Sequence, residues 1–102
     1  MRIAKVIGKV TLSRSHPSYL GARLRLAIPM SFAELVDGTE PAGETLVVWD
    51  EQGAGEGDLI AVAEGPEASQ PFRPDGKAVD AYAAALIDSL EIDRQAAAQV
   101  RR

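Results

Sequence analysis

Hydrophobic and polar residues alternate in two segments near the start of the chain, residues 3–12 and 22–28. A period of two with many β-branched residues predicts β-strands with one buried face. In the first segment that face is predicted to hold Ala4, Val6, Gly8, Val10 and Leu12. In the second segment we expect Leu24, Leu26 and Ile28 to face inward and Arg23 and Arg25 to face outward. Pro29 is expected to end this strand because proline cannot donate to a strand ladder.

The middle of the chain predicts two more strands separated by loops. Residues 45–49 form a short, nearly continuous apolar run, and residues 58–63 form another after a glycine-spaced acidic loop. Residues 30–44 are polar and punctuated by glycine and proline, so we expect a long connection or insertion there. Residues 64–77 contain three of the six prolines, which predicts an irregular segment or a short edge strand.

The period changes after residue 78, which predicts a C-terminal helix. Apolar residues recur there at helical spacing, namely Val79, Tyr82, Ala83, Leu86, Ile87 and Leu90. Asp80 suits the start of a helix, and the alanines favour helix formation. Residues 94–102 are expected to extend this helix or to fray. Four or five strands followed by one helix predict a small β-barrel or sandwich with a helix packed against it.

Length and composition narrow the possible classes of protein. A chain of 102 residues is one domain, and a fold this small gains stability by oligomerising. It has no cysteine and one histidine, which excludes disulfides, thiolate metal sites and a histidine-rich metal site. No apolar run approaches the roughly 18 residues of a membrane span, and charges interrupt the N-terminus too often for a signal peptide. We therefore expect a cytoplasmic protein without a membrane partner.

Charge is divided along the chain. Residues 1–25 contain six bases and no acid, residues 34–93 contain all 15 acids, and the formal net charge is −4. A basic segment can bind an anionic partner, but an acidic protein repels nucleic acid. We favour pairing of the two segments within the fold or across a subunit boundary.

Two segments resemble catalytic or ligand-binding motifs. His16 with Ser13 or Ser15 suggests a hydrolase, but such pairs are seldom neighbours in sequence, so a structural loop histidine is favoured. The glycines of residues 50–58 match neither a dinucleotide-binding nor a Walker A motif, and a strand rather than a helix follows them. The acids there do not have EF-hand spacing. We favour glycines that permit close approach where several copies of one loop meet at an axis.

No catalytic constellation, cofactor site or metal site is predicted. An oligonucleotide-binding barrel needs exposed aromatic residues on a basic strand face. No aromatic residue here alternates with lysine or arginine on a strand, and Trp49 is expected in the core. An OB-like ligand-binding or nucleic-acid-binding module therefore remains the alternative function.

Several segments, in order, resemble the EutN/CcmL family of pentameric bacterial microcompartment vertex proteins. They are IAKVIGKV at 3–10, HPS at 16–18 followed by Gly21 and Leu24, VVWDEQGAGEGD at 47–58, EGPEA at 64–68 and VDAYAAALIDS at 79–89. The resemblance covers residues 1–93. Residues 31–44 and the basic tail after Asp93 depart from it.

The resemblance implies a mainly β fold, a small five-stranded OB-like β-barrel with a C-terminal α-helix over residues 1–93, followed by a basic tail at 94–102. It implies a homopentamer, without enzymatic activity or cofactors, that caps shell vertices beside hexameric and pseudohexameric shell proteins in the bacterial cytoplasm. On this basis we expect the five-fold axis and any pore to be lined by Gly53, Ala54, Gly55, Glu56 and Gly57. Arg23 and Arg25 are the expected inter-subunit charges.

Overall fold

Five strands close into a barrel in the computed structural model, which describes residues 1–100. The strands are β1 (Arg2–Val10), β2 (Leu24–Pro29), β3 (Leu46–Trp49), β4 (Leu59–Glu64) and β5 (Ala81–Ile87). Their order around the barrel is β1-β2-β3-β5-β4. All neighbours are antiparallel except β3 and β5, which meet in parallel at Trp49 and Tyr82. This closure matches the OB-like barrel and confirms the four strands predicted from the first 63 residues.

Small side chains fill the barrel interior. The inner cluster consists of Ala4, Val6, Ala27, Val48, Ala54, Ile60, Val62, Ala81 and Ala83, so five of its nine members are alanine. A barrel of five strands has a narrow interior, because barrel diameter grows with strand number. The other four members are three valines and Ile60, whereas Leu24 of β2 is buried outside the barrel.

The predicted faces of β1 and β2 are wrong in part. The β1–β2 register shifts between Val6 and Gly8, so a bulge at Ile7 reverses the side-chain parity of β1. Ala4 and Val6 are buried inside, whereas Val10 packs in a second cluster outside the barrel. On β2 the interior position belongs to Ala27, while Leu24 is buried in the outer cluster and Leu26 and Ile28 are half-buried.

The predicted helix at residues 79–90 is also wrong, because Ala81–Ile87 forms β5. Ala81, Tyr82 and Ala83 are all buried, since the barrel interior covers one face of the strand and the outer cluster covers the other. Burial on both faces removes the alternation that identifies a strand. The interior needs small residues, and alanine satisfies that need despite its preference for helices.

Two short α-helices lie outside the barrel. Helix α1 (Phe32–Asp37) lies within the stretch that was expected to be a connection, and helix α2 (Arg94–Val100) occupies most of the predicted tail, whose residues 101–102 lie outside the described residues. Ser31 and Glu34 form a capping box at the start of α1. Asp93 caps α2 by accepting hydrogen bonds from the N–H groups of Gln95 and Ala96 at 2.9 and 3.1 Å. Residues of both helices line one cavity. The two segments that differ from the family pattern, residues 31–44 and the tail after Asp93, therefore lie next to each other in the fold.

A 3₁₀ segment, Gly65–Phe72, covers the outer cluster beside β4 and β5. Ala68 of this segment is fully buried with Leu24, Trp49 and Tyr82. The prediction of an irregular region here is therefore close to the structure. Within residues 1–100, no helix is long and apolar enough to cross a bilayer.

Candidate functional site at the 50–58 loop

One buried carboxylate organises the loop that joins β3 to β4. Asp50 has no exposed surface. Its Oδ1 accepts a hydrogen bond from the N–H of Gln52, and its Oδ2 accepts one from the N–H of Ala54, both at 2.8 Å. Its own N–H donates to the carbonyl of Arg23 at 2.8 Å. Because every polar atom of this side chain has a partner, the loop is folded around Asp50.

Arg25 reaches the same carboxylate from β2. Its Nε lies 3.5 Å from Asp50 Oδ2 and donates to the carbonyl of Ala54 at 2.8 Å. The side chain is only 16% exposed. The charge of Arg25 is therefore used within its own subunit rather than facing outward as expected. Arg23 remains exposed and lines an open depression of about 370 Å³ with Gly21, Trp49 and Glu51.

The second half of the loop is tied to β1. Asp58 Oδ2 accepts from the N–H of Gly55 at 2.8 Å, and the N–H of Asp58 donates to the carbonyl of Gly55 at 3.0 Å. The N–H of Gly57 donates to the carbonyl of Val6 at 2.8 Å, and the N–H of Val6 donates to the carbonyl of Asp58 at 2.9 Å. These bonds hold the exposed tip of the loop in one position at the end of the barrel.

The glycines of this loop serve different purposes. Gly53 and Gly57 have φ angles of 81° and 91°, a region that favours glycine. Gly55 has no positive φ, and a Cβ built there makes only an ordinary contact of 3.6 Å with Asp58 Oδ2. Nothing within the subunit therefore requires glycine at position 55. The side chain of Ala54 is buried in the inner cluster, whereas Glu56 is exposed.

The predicted site residues, 53–57, lie together in the exposed part of this loop and in its buried Ala54. The prediction did not include Asp50, the residue around which the loop is folded. Asp50 carried a usable signal, because an aspartate directly after an apolar strand and before glycines often accepts from the N–H two residues later. In this loop it does so through Gln52.

His16 has a structural contact. Its Nδ1 accepts a hydrogen bond from the N–H of Ser18 at 3.0 Å and lies 2.9 Å from Ser18 Oγ. It thereby caps the 3₁₀ turn Pro17–Tyr19. The turn capping gives His16 the structural loop role that the sequence analysis favours, through Ser18 rather than through Ser13 or Ser15. Within residues 1–100, no group of three or more histidine, aspartate or glutamate side chains is arranged to hold a metal ion.

Three N-terminal bases pair with acids later in the chain, as the favoured interpretation of the charge pattern predicts. Arg2 binds both carboxylate oxygens of Glu64 at 2.6 and 2.7 Å, and Lys5 binds Glu40 at 2.7 Å. Arg25 and Asp50 form the third pair. The hydrogen bonds from Arg2 lower the pKa of Glu64 and raise that of Arg2.

The aromatic residues pack on one another. Trp49 lies 5.7 Å from Tyr19 and 4.8 Å from Phe72 between ring centroids, and Lys77 Nζ lies 5.6 Å from the Trp49 ring. Trp49 is 5% exposed, which confirms its predicted place in the core. Burial raises the pKa of Tyr82. These four rings belong to the outer cluster and do not offer the exposed stacking surface of an oligonucleotide-binding barrel.

The loop, the barrel and the order of the strands agree with a known family. The family model described as "Ethanolamine utilisation protein EutN/carboxysome" matches residues 1–88. The chain belongs to the EutN/CcmL family. Two segments were expected to depart from the family pattern. Residues 31–44 lie within the matched range, whereas α2 lies beyond it.

Relatives with recorded roles are shell proteins. The bacterial microcompartment shell vertex protein GrpN of Rhodospirillum rubrum is 33% identical over 91 residues, 89% of this chain and 97% of GrpN. The vertex protein PduN of Salmonella typhimurium is 32% identical over 93 residues, 88% of this chain and 98% of PduN.

Solved structures agree in fold. The pentameric GrpN structure superposes with a TM-score of 0.76 at 29% identity, covering 91% of this chain and all of GrpN. CcmL of Gloeobacter violaceus gives 0.73 at 28% identity, covering 91% of each chain. The family consists of structural shell proteins, and this EutN/CcmL chain has the structural role of a shell vertex protein.

Proposed function

We propose that five copies of the chain form a closed ring that caps the vertices of a microcompartment shell in the bacterial cytoplasm. A flat layer of hexagonal units cannot close, so units with five-fold symmetry must supply the corners. Hexameric and pseudohexameric shell proteins are the proposed neighbours. The similarity to the pentameric GrpN structure over all of its length is the observation that carries this proposal.

The tip of the 50–58 loop is the proposed lining of the five-fold axis. Gly55 supports this placement, because it is exposed and glycine is not required there by its own subunit. At a five-fold axis any side chain is repeated five times, so absence of a Cβ at position 55 is useful in the ring even though the single subunit does not need it. Glu56 then places five carboxylates beside the axis.

Replacing Gly55 with leucine tests this placement. Gly55→Leu is expected to leave the folded subunit intact and to abolish or weaken the pentamer in native mass spectrometry. Gly76→Leu is the matched control, because Gly76 is also exposed, has no positive φ and has open space around its Cβ position. Intact Gly55→Leu pentamers at the concentrations where the wild type assembles would contradict the axis placement.

The vertex role is tested separately by co-expression with hexameric shell proteins. Closed shells are expected only when the chain is present, and open sheets or tubes are expected without it. The role requires no catalytic group, so turnover that depends on His16 or salt-sensitive oligonucleotide binding by a monomer would contradict the proposal.

A further inference from the structure

Two bases lie opposite each other at the base of the 50–58 loop. Lys9 of β1 and Arg25 of β2 are direct partners in the antiparallel register. Residues paired in this way point to the same face of the sheet, and two like charges there destabilise the pair. Lys9 therefore starts from the face on which Arg25 reaches the carbonyl of Ala54 and the carboxylate of Asp50. The register thus places two positive charges side by side next to the loop.

Only one of these bases has a counter-charge in its own subunit. Arg25 has the buried carboxylate of Asp50 at 3.5 Å. Lys9 is exposed and, among residues 1–100, has neither an ion pair nor a side-chain hydrogen bond. A local conflict that the subunit leaves uncompensated points to a function for the residue that causes it.

Glu56 is the matching acid at the tip of the loop. It is exposed and has no ion pair within the described part of the chain, residues 1–100. The N–H groups of its neighbours Gly55 and Gly57 donate to Asp58 Oδ2 and to the carbonyl of Val6, each at 2.8 Å. These bonds keep the backbone of Glu56 at the loop tip.

A ring places like charges together at this tip. The proposed axis brings five Glu56 carboxylates together, and like charges repel when they are closer than the screening length, about 8 Å at physiological salt. A symmetric ring repeats this repulsion at every contact unless a base lies beside each carboxylate. Next to the loop tip of one copy lies the same loop of the following copy, with the unpaired Lys9 at its base.

Arg23 is the other exposed base near this loop, and its surroundings differ. It lines an open depression together with Glu51, which supplies a negative charge there. Lys9 instead lies on β1, the strand whose Val6 anchors Gly57 beside the tip. Its flexible four-carbon side chain can follow a carboxylate that approaches from another copy. Lys9 is therefore the better counter-charge for the tip.

We propose that Lys9 of each copy forms an ion pair with Glu56 of the next copy around the five-fold axis. This inference rests on the proposed pentamer and on the axis placement of the loop, and it names one contact between the subunits. Each ion pair contributes little by itself, but it replaces a repulsion that would be repeated at every contact. The pair also sets the direction of the ring, because a base of one copy meets an acid of the next.

Charge reversal at either position tests the pair. Lys9→Glu and Glu56→Lys each replace the attraction with a repulsion at every contact of the ring. Each single variant is expected to need about ten-fold more protein than the wild type for half-assembly, measured by light scattering over a dilution series. The double variant Lys9→Glu/Glu56→Lys restores an attractive pair with inverted polarity, so it is expected to assemble in the wild-type range.

Mixing the two single variants distinguishes a contact between copies from one within a copy. Where Lys9→Glu and Glu56→Lys subunits alternate, each contact joins an acid to a base, whereas each subunit by itself still carries like charges. A ring of five is odd, so all but one of its contacts can alternate. An equimolar mixture, with one variant isotope-labelled, is expected to give mixed pentamers in native mass spectrometry at concentrations where neither variant assembles alone. Absence of mixed pentamers would overturn the contact between copies.

The controls change the same charges elsewhere. Arg73→Glu matches Lys9→Glu and Glu67→Lys matches Glu56→Lys, since Arg73 and Glu67 are exposed and lie outside the loop. Both controls are expected to assemble like the wild type, and circular dichroism checks that every variant is folded. Arg23→Glu/Glu56→Lys is the competing pair. Recovery in that variant but not in Lys9→Glu/Glu56→Lys would assign the contact to Arg23 and overturn the proposal.

The outcomes separate the two proposals. A wild-type chain that never forms pentamers overturns the proposed function. Wild-type pentamers with single variants that assemble normally, or with a double variant that fails to recover, overturn the ion pair and leave the pentamer in place. Dissociation of wild-type pentamers by a chelator would show that a metal ion neutralises the Glu56 carboxylates, and would also overturn the pair. Recovery in both the double variant and the mixture supports it.

Discussion

The barrel interior and the 50–58 loop are stabilised by different forces. The interior is a packed set of alanine, valine and isoleucine side chains. The loop is held by hydrogen bonds that converge on one buried carboxylate, Asp50, and on Asp58 at its far end. The interior therefore responds to changes of volume, whereas the loop responds to loss of an acceptor or a change of backbone angle.

Because of this difference, neighbouring residues of the loop are expected to affect either the folding of the subunit or the assembly of the ring. Ala54 belongs to the interior and Gly55, the next residue, is exposed. Changes at position 54 are expected to act on the stability of the subunit. Changes at position 55 are expected to act on the ring.

Removing the carboxylate that organises the loop should have the largest effect on stability. Asp50→Ala leaves the N–H groups of Gln52 and Ala54 without their acceptor and leaves the largely buried Arg25 without its counter-charge. The free energy of unfolding is expected to fall by about 3–5 kcal/mol, measured by denaturant titration of the dissociated subunit. Asp50→Asn keeps one acceptor and should lose less. Wild-type stability in Asp50→Ala would show that the loop does not depend on this residue.

Enlarging a side chain inside the barrel should have the next largest effect. Ala83→Leu is expected to cost about 1–3 kcal/mol because Ala83 is fully buried in a narrow interior. Ala85→Leu is the matched control on the same strand, where the side chain is exposed and the change should be nearly neutral. Equal melting temperatures for the two variants would mean that the interior has more room than this packing allows.

Two alanine substitutions compare neighbouring glycines in the loop. Gly57→Ala is expected to cost about 1–2 kcal/mol because φ is 91° at that position. Gly55→Ala should change the stability of the subunit little, since its Cβ makes only an ordinary contact. Thermal unfolding of both variants provides the measurement. A larger loss of stability in Gly55→Ala than in Gly57→Ala would show that the subunit needs glycine at position 55 more than at position 57.

Low pH should slightly lower the stability of the fold by weakening the Arg2–Glu64 ion pair, which lies outside the barrel interior and the 50–58 loop. The pKa of Glu64 is held below its ordinary value of 4.5, so its contribution is present above about that pH and is lost as the pH falls through the folded-state pKa. The side chain is 36% exposed, so screening limits the contribution to about 0–1 kcal/mol. Glu64→Gln should reduce the slope of stability against pH below 4.5. If this variant has the same slope of stability against pH as the wild type, the Arg2–Glu64 pair does not contribute to acid sensitivity.

The sequence predicts the strands that keep a clear alternation or a continuous apolar run, and it fails where the barrel imposes its own requirement. The residues of β5 that face the interior, Ala81 and Ala83, are alanine because the interior is narrow, and no local pattern records that need. The bulge at Ile7 reverses the faces of β1, and the alternation of apolar and polar residues does not mark its position. Helix α1 was predictable, because Ser31 and Glu34 have capping-box spacing and Gly38 follows the helix.

The loop was only partly predictable. Its glycine spacing and acidic character are visible in the sequence, and so is its resemblance to the EutN/CcmL family. The partners of Asp50 and Arg25 depend on how β2 and β3 align, which requires the three-dimensional fold.

Light scattering of the purified wild-type chain over a wide range of concentration tests the central claim most directly. The account predicts a species with five times the 10.8-kDa mass of one chain. A mass of one chain at every concentration, with and without hexameric shell proteins, would contradict it.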